Sequence, residues 1–244
     1  MTNKTKRIQL GRNISFLFAG LMLLVPAAVE SNDRFQGPYA GTYLGYVDGK
    51  DSVKEYYDDP PYNGGPDGGS YKNALSGTIY GLLGGYNVRY GKDFVYGVEA
   101  DYEGRSANKT SPVLPIVIYS HNYPLETELK EATSIRARLG YLLNGGQTLV
   151  YVTAGYAVAK ITRTYGDLAT PGGPYYSAIT SWQEGWTAGA GFEHFIGNQF
   201  SFRAEYRYSD YGMVGVDVPV FGPAYHEHQR YDDHTYRVGA VYHF

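Results

Sequence analysis

The residues with the clearest potential for chemistry lie near the C-terminus. A His-x-His pair, His226 and His228, is followed by Asp232, Asp233 and His234. Imidazole and carboxylate groups at this spacing could bind a transition metal or a haem iron. An assignment from a short histidine tract rests on composition alone, and a polar surface loop explains the same residues. The three histidines are therefore weak metal candidates, and no cofactor is predicted.

Other catalytic or binding patterns are weaker still. The chain contains no cysteine, so no thiolate nucleophile or thiolate metal site can form. It also lacks a Gly-x-Ser-x-Gly elbow, a Walker loop, a His-Glu-x-x-His motif and a Rossmann fingerprint. Acids and glycines in residues 58–69 could hold calcium but do not have EF-hand spacing. The sequence predicts a protein that is not an enzyme.

The N-terminus has the composition of an export signal. Four basic residues precede an apolar run at residues 14–25, and small residues follow at 25–27. We expect Sec-type export, a signal peptide at residues 1–27 and a short N-terminal lead at residues 28–36. Cleavage would lower the formal net charge from −3 to −7, because all four charged residues removed are basic. Such an acidic protein is a poor nucleic-acid binder, so no nucleic-acid partner is predicted.

The elements that must position charged side chains are strands with two unlike faces. Residues 200–208 read Phe-Ser-Phe-Arg-Ala-Glu-Tyr-Arg-Tyr, which places Arg203, Glu205 and Arg207 opposite the apolar residues. Successive side chains of a strand point to opposite sides, so this alternation predicts a strand. Eight segments repeat the pattern: residues 39–47, 79–88, 94–103, 135–141, 149–160, 186–193, 200–208 and 235–244.

The connections between these segments alternate in length. Three are turn-sized and contain Gly or Asn, near residues 89–93, 144–146 and 196–199. The other four are long and polar, at about residues 48–77, 104–133, 164–185 and 210–233. Short and long connections in regular alternation are typical of outer-membrane barrels. We predict an all-β fold over residues 37–244, an eight-stranded antiparallel up-and-down transmembrane β-barrel with short periplasmic turns and four long extracellular loops.

In such a barrel the apolar face meets lipid and the charged face fills the lumen. An eight-stranded barrel is only wide enough inside for side chains. Unpaired buried charge is costly, so a balanced set of acids and bases is expected there. Strand three would place its acids beside the arginines of strand four, and strands six to eight would form a second cluster. The predicted inward residues are Glu99, Asp101, Glu103, Glu193 and Glu205 with Arg136, Arg138, Arg203, Arg207 and Arg237.

An ordered set of motifs resembles the small outer-membrane β-barrel porin family of alphaproteobacteria, typified by their major 25- and 31-kilodalton surface proteins. The motifs are Gly-Pro-Tyr-Ala-Gly at 37–41, Gly-Val-Glu-Ala-Asp at 97–101, Ile-Arg-Ala-Arg-Leu-Gly-Tyr at 135–141, Trp-Thr-Ala-Gly-Ala-Gly-Phe-Glu at 186–193, Arg-Ala-Glu-Tyr-Arg-Tyr at 203–208, and the terminal Tyr242 and Phe244. The resemblance implies insertion by the barrel-assembly machinery, with Tyr242 and Phe244 as the assembly signal. It implies no catalytic residue. Some relatives bind haemin, so haemin binding by the three histidines stays an alternative.

These observations predict a surface protein of the cell outer membrane that contributes to envelope integrity and surface contact, with a filled lumen rather than an open pore. The expected partners are outer-membrane lipid and lipopolysaccharide, the barrel-assembly machinery, and a host or environmental surface ligand. Three alternatives stay open: a small porin or haemin- or metal-binding surface barrel, an exported soluble ligand-binding barrel, and a lipid-modifying outer-membrane enzyme. The enzyme would need a Ser/His pair at its lipid-facing rim, and the sequence offers no convincing one.

Overall fold

The computed structural model describes residues 34–57, 70–116, 121–167, 175–218 and 225–244. The predicted signal peptide and the acids of residues 58–69 lie outside this part of the chain, as do residues 28–33 of the predicted lead. Among the described residues, no helix is long and apolar enough to cross a membrane. Eight strands account for nearly all of them: β1 Gly37–Tyr57, β2 Ser70–Tyr90, β3 Phe94–Ile116, β4 His121–Leu143, β5 Thr148–Asp167, β6 Tyr175–Phe195, β7 Phe200–Asp217 and β8 Tyr225–His243.

The strands form a closed antiparallel barrel in chain order, in which β8 pairs with β1. The predicted fold class is thereby confirmed. Short turns join β2 to β3, β4 to β5 and β6 to β7, and each contains residues with positive φ, as their Gly and Asn content predicted. In the β4–β5 turn these are Asn144, Gly145 and Gly146, with φ of 54°, 67° and 86°. At the opposite end of the barrel, β1, β3, β5 and β7 end and β2, β4, β6 and β8 begin.

The strands are about twice as long as the sequence predicted. They span 18 to 23 residues, because most of the residues assigned to the long connections continue the strands. In β1 beyond Val47, the outward positions become Asp48, Lys50 and Lys54, whereas Val53 points inward and is fully buried. Asp51 and Glu55 also point inward and are buried, so both faces carry charged residues there and the contrast between them is lost. A search for one persistently apolar face therefore ends each strand too early.

Bulges interrupt the alternation in the same region. The β3–β4 register shifts between Gly104 and Ala107, and the β7–β8 register between Asp210 and Met213. A bulge places two residues opposite one, so the inward positions change parity beyond it. On β4, inward residues are even-numbered from Ala132 to the C-terminal end of the strand. Before the bulge, at Leu129, the inward position is odd-numbered. This change of parity hid the upper halves of the strands from a period-two search.

The outer wall divides into an apolar belt and a polar extension. In the belt, Leu44 is 66% exposed, Val98 59% and Val152 55%. Aromatic residues border it on both sides: Tyr90, Phe94, Tyr141, Phe200 and Phe244 next to the short turns, and Tyr46, Tyr80, Tyr102, Tyr156, Trp186 and Tyr236 on the other side. Nine residues from Phe94 to Tyr102, each rising about 3.3 Å along a strand tilted about 40°, cover roughly 20 Å. Above the belt, the outer wall is mostly polar, with Trp182 and Met213 as exposed apolar residues.

Candidate functional site: a lumen filled by ion pairs

All of the predicted lumen residues lie inside the barrel, and none is more than 6% exposed. Strand register brings several of them together. Glu99 of β3 lies directly opposite Arg136 of β4, and Glu205 of β7 lies opposite Arg237 of β8. The inward residues are Glu99, Asp101, Glu103, Glu193 and Glu205 with Arg136, Arg138, Arg203, Arg207 and Arg237.

Glycines make room for the long guanidinium side chains. Arg138 lies opposite Gly97, Arg203 opposite Gly239, and Arg207 opposite Gly189. A glycine contributes no side chain to the crowded interior of a small barrel. The mixture of Gly with charged residues on one strand face therefore reflects the packing of the lumen.

The central ion pairs are centred on Arg136 and Glu99. Arg136 contacts Glu99 at 2.5 Å, Glu205 at 2.7 Å and Asp101 at 3.0 Å. Arg203 donates to Glu99 at 2.5 and 3.0 Å and also pairs with Glu205. Each carboxylate thus has more than one cationic partner, as charges removed from water require.

The network continues through Glu103 toward the end of the barrel opposite the short turns. Arg207 contacts Asp101 at 2.9 Å and Glu103 at 3.6 Å, and Arg237 pairs with Glu103 as well. Arg105 donates to Glu103 at 2.7 Å and to Asp233 at 2.5 Å. The sequence analysis missed Arg105 and Asp233 because it placed both in loops.

The expected division into two clusters is wrong. Strands β3, β4, β7 and β8 share one network of five carboxylates and five guanidinium groups: Glu99, Asp101, Glu103, Glu205 and Asp233 with Arg105, Arg136, Arg203, Arg207 and Arg237. Pairing across the lumen rather than along neighbouring strands produces this difference. Long arginine side chains reach the far wall of so narrow a barrel, which an analysis strand by strand does not anticipate.

Glu193 belongs instead to a separate cluster near the short turns. It accepts hydrogen bonds from Arg138 at 2.6 Å and from Ser201 at 2.7 Å, and it lies 2.7 Å from His243. Phe35, which is 1% exposed, packs edge-on against His243 and Phe195 beneath this cluster. Phe35, just before β1, therefore covers the end of the lumen next to the short turns.

Three buried tyrosines link the carboxylates to the barrel wall. Tyr39 donates to Glu99 at 2.9 Å, Tyr43 to Glu103 at 3.1 Å and Tyr151 to Glu205 at 2.9 Å. Each ring lies over the glycine directly opposite on the next strand: Gly85, Gly81 and Gly191, respectively. A Cβ at Gly85 would come within 2.4 Å of the Tyr39 hydroxyl. The matching four-residue spacing of Tyr on β1 and Gly on β2 is a sequence signal that could have identified these pairs.

A further polar group fills the lumen above the belt. Asp51 accepts hydrogen bonds from Arg163 at 2.6 and 3.0 Å and from Thr127 at 3.2 Å. Tyr165 donates to Glu227 at 2.7 Å. Burial raises the pKa of the Tyr165 phenol well above its ordinary value, and the Glu227 charge adds to this, so the hydroxyl stays protonated as a donor. The lumen is therefore filled beyond the belt as well as within it.

Little free space is left between the central charges. A cavity lined by Tyr43, Leu83, Arg136, Arg203 and other residues has a volume of about 10 Å³. This is at or below the space that one water molecule needs. The side chains that line this cavity are therefore closely packed.

The histidine candidates lie on β8 rather than in a loop, which corrects the prediction. His226, His228 and His234 occupy outward positions, whereas Glu227 and Asp233 point inward and are buried. The rings of His226 and His228 lie 6.0 and 4.4 Å from that of Tyr56. Within the described ranges, no group of three or more His, Asp or Glu residues is arranged to hold a metal ion. Alternation along the strand separates the imidazoles from two of the carboxylates expected beside them.

The predicted assembly signal lies at the base of the outer wall. The Tyr242 ring is 5.0 Å from that of Phe244 and 5.1 Å from that of Phe200. Phe244 is 44% exposed. The two C-terminal aromatic residues are therefore part of the aromatic border next to the short turns. Their role in assembly stays a prediction.

The structure also shows a hydroxyl–imidazole pair on the outer wall, which the sequence analysis did not identify. The Thr148 hydroxyl lies 2.8 Å from His194 Nδ1, and Asn144 donates to the same hydroxyl at 3.2 Å. Nucleophilic catalysis requires a third group that orients the imidazole. Within the described residues, His194 has no carboxylate partner. The contacts link the β4–β5 turn to β6.

Comparison with known proteins agrees with this architecture. The family model for the outer membrane protein beta-barrel domain matches residues 16–244. The 31 kDa outer-membrane immunogenic protein of Brucella melitensis is 30% identical over 227 residues, which cover 89% of this chain and 87% of the relative. The 25 kDa outer-membrane immunogenic protein of the same organism is 29% identical over 228 residues, which cover 90% and 85%.

A solved structure shares the fold. The outer membrane protein OprG of Pseudomonas aeruginosa superposes with a TM-score of 0.54 at 15% sequence identity, over 86% of this chain and 98% of that one. The apolar belt and the family match exclude the exported soluble barrel. The chain belongs to the outer membrane protein beta-barrel domain family and is located in the outer membrane.

Proposed function

We propose that this protein is a non-conducting surface barrel that contributes to envelope integrity and presents its extracellular strands to the surroundings. The observation that carries the proposal is the central network of five carboxylates and five guanidinium groups across the lumen. Removing one partner from a buried ion pair costs about 3–5 kcal/mol. Opening a path for solutes would separate several pairs, so the closed arrangement is strongly favoured.

The polar extension supports a role in surface contact. On β1, eleven residues from Val47 to Tyr57 continue the strand past the aromatic border. At about 3.3 Å per residue and a tilt of about 40°, they raise the barrel wall by roughly 25–30 Å. The Brucella relatives are named immunogenic proteins, which agrees with exposure at the surface. Host or environmental surface ligands would meet this extension first.

Two further partners follow from the same architecture. The apolar belt and its aromatic borders fit outer-membrane lipid and lipopolysaccharide. The half-buried Tyr242 and the exposed Phe244 at the C-terminal end of the chain fit recognition by the barrel-assembly machinery. Deletion of Phe244 should slow insertion in cells while leaving refolding into detergent micelles intact. Equal loss of refolding in detergent would assign Phe244 to barrel stability instead.

A deletion strain tests the envelope role. We expect it to take up a hydrophobic fluorescent dye faster than its parent and to be more sensitive to detergent, with both defects restored by the wild-type gene. Unchanged dye uptake and detergent resistance would contradict the proposed function. Mass spectrometry of lipid A from the same strain tests the lipid-modifying alternative. An altered acyl pattern would show that the barrel is an enzyme, against our expectation of no change.

A further inference from the structure

Four basic side chains surround Ser52 on the outer wall. Strand register places Ser52 directly opposite Lys72 of β2 on one side and Arg230 of β8 on the other. Lys50 and Lys54 are two residues away along β1 and therefore point to the same side. Directly opposite side chains have Cβ atoms about 5 Å apart, and i,i+2 neighbours are separated by about 7 Å. We call Lys50, Lys54, Lys72 and Arg230 the basic cross.

The basic cross faces outward and is open to solvent. All four basic residues are exposed. Their strand neighbours Asp51 and Val53 are fully buried inside the barrel. The charges therefore belong to the side wall of the extension and not to the lumen.

Carboxylates lie beside two members of the basic cross, Lys50 and Arg230, but not beside the other two. Arg230 pairs with Asp210, and Asp232 lies opposite Lys50. Lys54 and Lys72 form no ion pair within the described part of the chain. On the β2 side, Ala74 and Ser76 continue the outer face without charge. The β1–β2 side of the basic cross therefore carries uncompensated positive charge.

The far side of the barrel is different. There, Lys130 pairs with Glu128 at 3.1 Å, and Lys160 pairs with Glu131 at 3.3 Å. These lysines also lie above the belt and face outward. The contrast shows that unpaired lysines are a property of one side of the wall and not of the extension as a whole.

The height of the basic cross indicates its ligand. Lys50 is four residues beyond Tyr46, the last aromatic residue of the belt on β1, and Lys54 is eight residues beyond it. These separations correspond to roughly 10 and 20 Å above the aromatic border. The bilayer headgroups extend only about 5–7 Å beyond the hydrocarbon. An anionic partner at this height, beside the wall, must be carried on a saccharide that rises from the outer leaflet.

We propose that the basic cross binds phosphate groups on the saccharide headgroup of lipopolysaccharide packed against strands β8, β1 and β2. Ammonium groups supply point charges and the guanidinium group supplies paired donors, a combination suited to phosphate oxygens. Ser52 adds a central hydroxyl. This inference rests on the outer-membrane placement and identifies the residues that would contact one of the proposed partners.

The test uses the folded full-length mature barrel in zwitterionic detergent, titrated with rough-type lipopolysaccharide. The variant is Lys54→Gln/Lys72→Gln, and the matched control is Lys130→Gln/Lys160→Gln on the far side. We expect the first pair to weaken binding about tenfold or more, because each basic group near an anionic surface contributes about fivefold. The control should bind like wild type. Removing phosphate from the lipopolysaccharide, or raising the salt concentration, should abolish the difference.

Equal affinities of wild type and the Lys54/Lys72 variant would overturn the proposal. An equal loss of affinity in the Lys130/Lys160 control would also overturn it, because it would indicate non-specific electrostatic attraction. Heparin, a soluble polyanion, provides another arm of the test: a variant that loses heparin binding but keeps lipopolysaccharide binding would also overturn it. Heat-modifiable migration of both variants shows that the barrels are folded. A failure here leaves the conductance of the barrel unaffected, so the two proposals fail independently.

Discussion

At the scale of single residues, Arg136 has three carboxylates within 3.0 Å in the lumen. Arg136→Met should lower the free energy of unfolding by about 3–5 kcal/mol, because Glu99, Asp101 and Glu205 keep their burial and lose a shared cation. Urea titration of the barrel in detergent micelles measures this change. Lys130→Met is the control, since the exposed Lys130–Glu128 pair should contribute less than about 1 kcal/mol. Equal effects of both substitutions would contradict the lumen network.

Two adjacent glycines on β2 test the tyrosine contacts. Gly85 points inward, where a Cβ would meet the Tyr39 hydroxyl at 2.4 Å and the Val98 carbonyl oxygen at 2.5 Å. Gly84 points outward, and its nearest neighbour would be 3.7 Å away. Gly85→Ala should therefore destabilise the barrel by about 1–3 kcal/mol. Gly84→Ala should be neutral or slightly stabilising. The same urea titration compares them, and the opposite ranking would show that the Tyr39 ring does not lie over Gly85.

At the scale of the strand, the two halves of β6 should respond differently to the same charge. Ala190 lies in the apolar belt, and Ala178 lies on the same face above it. Ala190→Arg should cost about 2–4 kcal/mol near the bilayer midplane, whereas Ala178→Arg should change stability by less than about 0.5 kcal/mol. Unfolding measured in lipid vesicles gives both values. A cost at Ala178 as large as that at Ala190 would place the upper half of the strand in hydrocarbon.

Strands also show how much the sequence could predict. Within the belt, alternation identified all eight strands, their inward face and ten lumen charges, because one face meets hydrocarbon and the other meets partners of opposite charge. Above the belt, water lies outside, and both Val53 and charged residues such as Asp51 lie inside, so the contrast in polarity between the two faces is lost. Arg105 and Asp233 were missed because they lie beyond the apolar belt, although each keeps the inward parity of its strand. Side-chain partners across the lumen depend on the closed geometry, which no single strand encodes.

At the scale of the whole molecule, the network within the belt, the polar group above it and Phe35 below it occupy successive levels of one lumen. The most direct test of this account is recording current across planar lipid bilayers that contain the purified barrel, with a large general porin as the positive control. We predict no discrete channel openings from this protein at voltages at which the porin conducts. Stable open-channel steps of appreciable conductance would contradict the filled lumen and favour the small-porin alternative.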